Sequence, residues 1–197
     1  ATGMTPQFAL GADNETGYVT SAFADRITYG PISAYLQSFD IKTLEFGTEV
    51  SVPEKMAQTA AQAVALALSS DGKWAFVQNA TPATSISVVN LSSGKIVSEI
   101  PNPGCWGIYP STTPSKYSTV CGNGTITTYK LKSSGELGSQ ATSDTVFDVE
   151  SKPIFVHPQR DGDTLFFVTY DGTLLEVDDS GKAAKVTDEW TFTDGIE

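Results

Sequence analysis

The sequence predicts an all-β protein assembled from repeated four-stranded units. Three observations carry that prediction. Short runs of Val, Ile, Thr, Tyr and Phe recur between glycines and prolines, long helical periodicity is nearly absent, and the strand-and-turn plan repeats at intervals of 40 to 50 residues. Units of that length with about four short strands each are the pattern of propeller blades, which bury their sheet faces against their neighbours.

The units can be followed along the chain. Tyr35-Leu36-Gln37-Ser38-Phe39 reads as a strand in an initial, partial unit. Met56 to Leu68, rich in Ala and Gln, fits a short helical turn or a strand, because Val64, Leu66 and Leu68 alternate with alanines. A turn at Ser69 to Lys73 precedes Trp74-Ala75-Phe76-Val77. Ile86 to Leu91 follows, then a turn at Ser92 to Lys95. The plan recurs with Ile108 to Pro110, a turn at Thr113-Pro114-Ser115, Tyr117 to Val120, Thr125 to Leu131 and a turn at Ser133 to Gly135. It recurs again with Ile154 to Pro158, the Asp161-Gly162 turn, Leu165 to Val168, Thr173 to Val177 and a turn at Asp179-Ser180-Gly181. Asp-Gly and Ser-Gly pairs supply the positive φ that such turns need. Asp40, Asn90, Lys130 and Asp178 occupy equivalent positions, separated by 50, 40 and 48 residues. The blade-like units fall at about residues 20–62, 63–104, 105–150 and 151–197 of a partial β-propeller spanning 1–197. Closed propellers have about four to eight blades, so three clear blades and an initial part read as a portion of a ring.

Composition limits the function classes. Of 197 residues, 40% are hydrophobic and 18% charged, which is a foldable balance. With 23 Asp and Glu against 12 Lys and Arg, the net charge is −11, which argues against a nucleic-acid partner. No run of 18 apolar residues is present, so no membrane-spanning helix is expected. The acid is uneven: residues 144–197 hold 13 acidic and 4 basic side chains, whereas residues 56–143 hold 3 and 5. A solvated acidic face is the simpler reading, and a cationic partner the alternative.

Few residues carry chemistry. The one histidine, His157, reads as structural or solvent-facing. Asp161-Gly162-Asp163 lacks a calcium ligand ladder and reads as a turn. Asn79-Ala80-Thr81 is discounted as a glycosylation site because Pro82 follows it. Asn123-Gly124-Thr125 reads as a tight hairpin turn, and Trp74, Trp106 and Trp190 as core. Cys105 and Cys121 fall on adjacent antiparallel strands joined by the Ser111 to Lys116 turn. A bridge between them would stabilise by roughly 3 kcal/mol and implies an oxidising compartment. A buried, reduced pair is the alternative.

The chain also resembles a known family, the heavy (β) subunits of quinoprotein amine dehydrogenases: aromatic amine dehydrogenase first, then methylamine dehydrogenase. The resemblance runs through Phe23 to Gly30, Tyr35 to Leu44, Ala67 to Val89, Asn102 to Pro110, Thr119 to Gly124 and Phe155 to Thr169. Its specific part is Pro103-Gly104-Cys105-Trp106-Gly107-Ile108-Tyr109-Pro110 with Val120-Cys121-Gly122-Asn123-Gly124 downstream. It implies a seven-bladed β-propeller of roughly twice this length, of which about three to four blades are present. That subunit would pair with a small disulfide-rich light chain bearing tryptophan tryptophylquinone (TTQ), in a periplasmic heterotetramer. The implied reaction converts a small primary amine, aromatic on the nearer likeness, to an aldehyde and ammonia. Electrons would pass to a blue copper protein, azurin-like or amicyanin-like. Cys105 and Cys121 match the family's disulfide. Phe23 matches the region where a family Phe or Tyr lines the substrate channel, with Asp25 and Arg26 positioning the adjacent loop. The catalytic base and the quinone belong to the light chain, so no catalytic, cofactor-binding or metal residue is expected here. The stretch from Asp188 to Glu197 should be a loop before a further blade, and the remainder of the heavy subunit is an expected partner. The alternative function is a propeller interaction module without a redox role.

Overall fold

A computed structural model describes residues 3–192. The elements are β1 (Met4–Leu10), β2 (Thr16–Ala24), β3 (Ile32–Asp40), β4 (Phe46–Val52), β5 (Leu66–Leu68), β6 (Trp74–Asn79), β7 (Ser85–Asn90), β8 (Lys95–Pro101), β9 (Cys105–Pro110), β10 (Lys116–Cys121), β11 (Ile126–Leu131), β12 (Leu137–Thr142), β13 (Gln159–Asp161), β14 (Thr164–Val168), β15 (Thr173–Asp178) and β16 (Lys185–Thr191). They form four separate antiparallel sheets of four strands, each ordered as in the chain. Among the described residues no helix is long and apolar enough to cross a membrane. The expectation of an all-β partial propeller holds. The initial unit is a complete sheet, with β1 and the start of β2 upstream of the unit expected from residue 20. The stretch from Asp188, expected as a loop, instead continues β16 to Thr191 because its backbone pairs with β15, and its residues 193–197 lie outside the described residues.

Side-chain alternation explains how the sheets stack. In β6, Trp74 and Phe76 point one way and Ala75 and Val77 the other, and all four are buried. Ala75 and Val77 join Ala22, Leu36 and Val50 in a core between sheets one and two. Trp74 and Phe76 join Ile108, Tyr117 and Tyr129 in a core between sheets two and three. Tyr109, Val120, Leu165, Phe167 and Val177 fill the third core, between sheets three and four. Burial on both faces is why β6 reads as a continuous apolar run rather than an alternating one. The first strands of successive sheets meet, β1 with β5 and β5 with β9, whereas β4, β8, β12 and β16 are mostly exposed. This is the radial order of a propeller, axis to circumference.

The repeated position marks a repeated turn. Asp40, Asn90 and Asp178 end the third strands of their sheets. The Asp40 carboxylate accepts the backbone N–H groups of Lys42 and Thr43 at 2.9 and 2.8 Å, and Asn90 Oδ1 that of Ser93 at 2.9 Å. Asp178 does the same for Ser180 at 2.6 Å. Short polar side chains that bond the backbone just ahead start such turns. Gly94 and Gly135 take positive φ in the turns after β7 and β11, as expected, but Gly181 does not. Its turn is fixed from outside, by the Lys116 ammonium donating to the carbonyls of Asp179, Ser180 and Gly181.

Two further expectations are decided. Of the two readings of Met56 to Leu68, the strand holds at its end, where Leu66–Leu68 form β5; the backbone before it is irregular rather than helical, because its groups bond elsewhere. Gln7 donates from Nε2 to Thr59 O and accepts from Gln62 N–H at 2.7 Å. Ala57 N–H donates to Gln78 O. Trp190 is exposed, not core: it sits on β16 and pairs with Leu174 on the outer face of sheet four, which no further sheet covers among the described residues.

Candidate functional site

Antiparallel order places the loops between second and third strands on one rim, together with the linkers between sheets. The remaining turns lie on the opposite rim. The first rim carries the 25–31 hairpin loop of sheet one, the 122–125 turn of sheet three and the 169–172 turn of sheet four.

Phe23 lies one residue before the end of β2, opposite Ser33 of β3. Its neighbour Ala22 enters the core between sheets one and two, so Phe23 points to the outer face of sheet one. There its half-buried ring meets Tyr35, centroids 6.1 Å apart and tilted by 57°. Gly3 leaves room for it: a Cβ at that position would lie 3.0 Å from the Phe23 ring. The loop that follows is tightly built. Arg26 N–H donates to Tyr29 O at 3.1 Å, Asp25 N–H to Pro31 O at 3.1 Å, and the Arg26 guanidinium lies 5.4 Å from the Tyr29 ring centre. Ile27 adopts φ +67° and is 88% exposed. A β-branched residue in that conformation is costly, and here the cost keeps an apolar side chain in solvent. Tyr29 is also exposed. Sequence reasoning placed Phe23 near this loop but did not single out Ile27 or Tyr29.

Cys105 and Cys121 face each other across β9 and β10 and form a disulfide. Beside it lies an apolar cleft of about 300 Å³ lined by Trp106, Val120, Phe147, Val149, Ile154 and Val156. Trp106 Nε1 donates to Gln62 Oε1 at 3.0 Å, tying the cleft to the linker before β5. On the same rim Phe155 and Tyr170 stack with centroids 4.3 Å apart, both largely exposed. The same rim carries the carboxylates of Asp148 and Asp171. Backbone N–H groups of Ser151 and Glu150 hold the Asp148 carboxyl below its ordinary range. The Thr169 hydroxyl does the same for Asp171. The rim is therefore apolar and anionic together.

The other singled-out residues serve structure. His157 is exposed. Asn79 is fully buried and donates to Ser85 and Ser87 at 3.0 and 2.9 Å. Asp163 accepts from Thr112 of the neighbouring sheet. Among the described residues no group of three or more His, Cys, Asp or Glu is placed to hold a metal ion.

Residues 1–194 match the family described as methylamine dehydrogenase heavy chain. The chain belongs to that family. The methylamine dehydrogenase heavy chain of Methylobacillus flagellatus is 24% identical over 190 residues, covering 95% of this chain and 45% of that protein. That of Methylophilus methylotrophus is 22% identical over 176 residues, covering 88% and 43%. The chain thus spans under half the length of these curated relatives. Solved structures support the fold. The Cps50 (Swd1) β-propeller domain of Myceliophteria thermophila aligns with 97% of this chain and 56% of its own, at TM-score 0.62 and 11% identity. Kuenenia stuttgartiensis hydrazine synthase aligns with 87% and 51%, at TM-score 0.59 and 13% identity.

Proposed function

We propose that this chain is the propeller portion of the heavy subunit of a TTQ-dependent amine dehydrogenase. Its match to the methylamine dehydrogenase heavy chain family over residues 1–194 carries the reading. The enzyme converts a small primary amine to an aldehyde and ammonia in the periplasm, and a blue copper protein of azurin or amicyanin type takes the electrons. TTQ resides in the partner light chain and supplies the electron sink.

The chain's own residues bind and select. The rim bearing Ile27 and Tyr29 meets the disulfide-rich light chain, since exposed apolar side chains of this kind mark interfaces. Phe23, backed by Tyr35, is a wall of the substrate channel that keeps water out and grips an apolar substituent. An aromatic wall favours an aromatic amine over methylamine. The remaining blades of the heavy subunit cover the outer faces of sheets one and four, where Phe8, Phe46 and Trp190 are exposed.

The test is purification of the full protein from its native host. Support would be a co-purifying small Cys-rich chain with quinone absorbance, amine-dependent dye reduction, and a higher kcat/KM for phenylethylamine than for methylamine. A reversed preference overturns the aromatic assignment. Absence of both the small chain and amine-dependent reduction overturns the whole reading in favour of an interaction module.

A further inference from the structure

On the rim opposite Phe23, a groove of about 490 Å³ runs between sheets three and four. Its charged lining is Lys116, Lys130 and Lys182, and the hydroxyls of Thr128, Ser139 and Ser180 line it too. Among the described residues no Asp or Glu lines it, although the chain carries 23 acidic residues against 12 basic ones.

The groove has a fixed charge at its base. Lys116 begins β10 and is only 5% exposed. Its ammonium donates to the backbone carbonyls of Asp179, Ser180 and Gly181, the last two at 2.8 Å. Three protons meet three neutral acceptors, so the group is oriented without being neutralised by them. The carboxylates of Asp179, Asp163 and Asp178 also attract this ammonium, Asp179 being engaged as well by Arg160 and the Ser118 hydroxyl, so the positive charge that faces the groove is chiefly that of Lys130 and Lys182. Lys130 and Lys182 stand exposed at the walls, and none of the three lysines joins an ion pair among the described residues. Lysine suits phosphate and carboxylate oxygens as a point charge, and hydroxyls add donors of adjustable direction. The volume lies in the range of small-ligand sites.

We infer that this groove binds a small ligand bearing clustered anionic oxygens, such as a phosphate or a polycarboxylate. The inference does not depend on the amine dehydrogenase reading, because it uses the opposite rim and none of the channel residues.

The experiment is isothermal titration of the full protein with inorganic phosphate and, separately, with citrate, at fixed ionic strength. One saturable site per chain is expected in at least one arm, and the arm that saturates tells phosphate from polycarboxylate. In the double variant Lys130→Ala/Lys182→Ala, affinity should fall at least tenfold while the unfolding midpoint stays at the parent value, because both side chains are exposed. Linear, unsaturable heats in both arms overturn the inference, as does saturable binding that the double variant leaves intact.

Discussion

Arg160 grips Asp179 with two parallel hydrogen bonds, Nη1 to Oδ1 at 2.9 Å and Nη2 to Oδ2 at 2.6 Å. The carboxylate is fully buried, and Ser118 of sheet three donates to it at 3.2 Å. The pair therefore ties β13 to the turn after β15 and fastens both to the neighbouring sheet. Removing one partner strands a buried charge, which costs about 3–5 kcal/mol. Arg160→Ala should lower stability in chemical denaturation by an amount of that order. Arg160→Lys should recover only part of it, because a single ammonium cannot match both oxygens. A loss as small as that of an exposed pair would show that the carboxylate reaches water.

The disulfide is a second cross-strand tie. Replacing Cys105 and Cys121 together by Ser should cost roughly 3 kcal/mol, the chain-entropy value for a loop of about 15 residues. The measurement is the denaturant midpoint of the double variant against the parent. Equal midpoints would mean that the bridge adds nothing to the stability of the fold.

Glu99 should contribute to acid sensitivity. Lys55 donates to its carboxylate at 2.5 Å and Ser85 at 2.8 Å, and these two bonds hold the carboxyl below its ordinary value. A depressed folded pKa stabilises above the unfolded value and the benefit disappears as pH falls through the folded one. The loss should therefore develop from about pH 5 downward, given an ordinary Glu near 4.3. Glu99→Gln should flatten that limb of a stability-against-pH curve. An unchanged acid limb would assign it to other carboxylates.

Phe23→Ala tests the channel wall. Loss of an apolar contact should reduce kcat/KM for an aromatic amine roughly tenfold or more, with methylamine little affected. The unfolding midpoint should move little, since Phe23 stands at the rim end of β2, one residue from its last. Equal loss for both amines would make Phe23 a packing residue only.

What the sequence discloses and what it hides divide by range. The turns starting at Asp40, Asn90 and Asp178 are legible because a side chain and the backbone it bonds lie within three residues. The β6 run of Trp74 to Val77 is legible because burial on both faces leaves no polar residue in it. β1 is not, since Pro6 and a residue at positive φ, Thr5, break its pattern and its register shifts between Met4 and Gln7. The 179–181 turn depends on Lys116, 63 to 65 residues away, a distance that local pattern does not span. The exposure of Trp190 depends on what lies beyond sheet four, which its own residues do not encode. For the candidate site, Phe23 and the cysteine pair stand out through motif likeness, whereas Ile27, Tyr29 and the Phe155–Tyr170 stack emerge only when the loops are gathered on one rim.

The alternation in β6 has a thermodynamic meaning. Each interior sheet lends one face to each of two cores, so the sheets behave as a row of coupled units whose cohesion resides at the junctions between them. Sheets two and three are held on both faces by the described cores. A lesion in one junction, such as that of Trp74 and Tyr117, should then loosen both of the sheets that meet there.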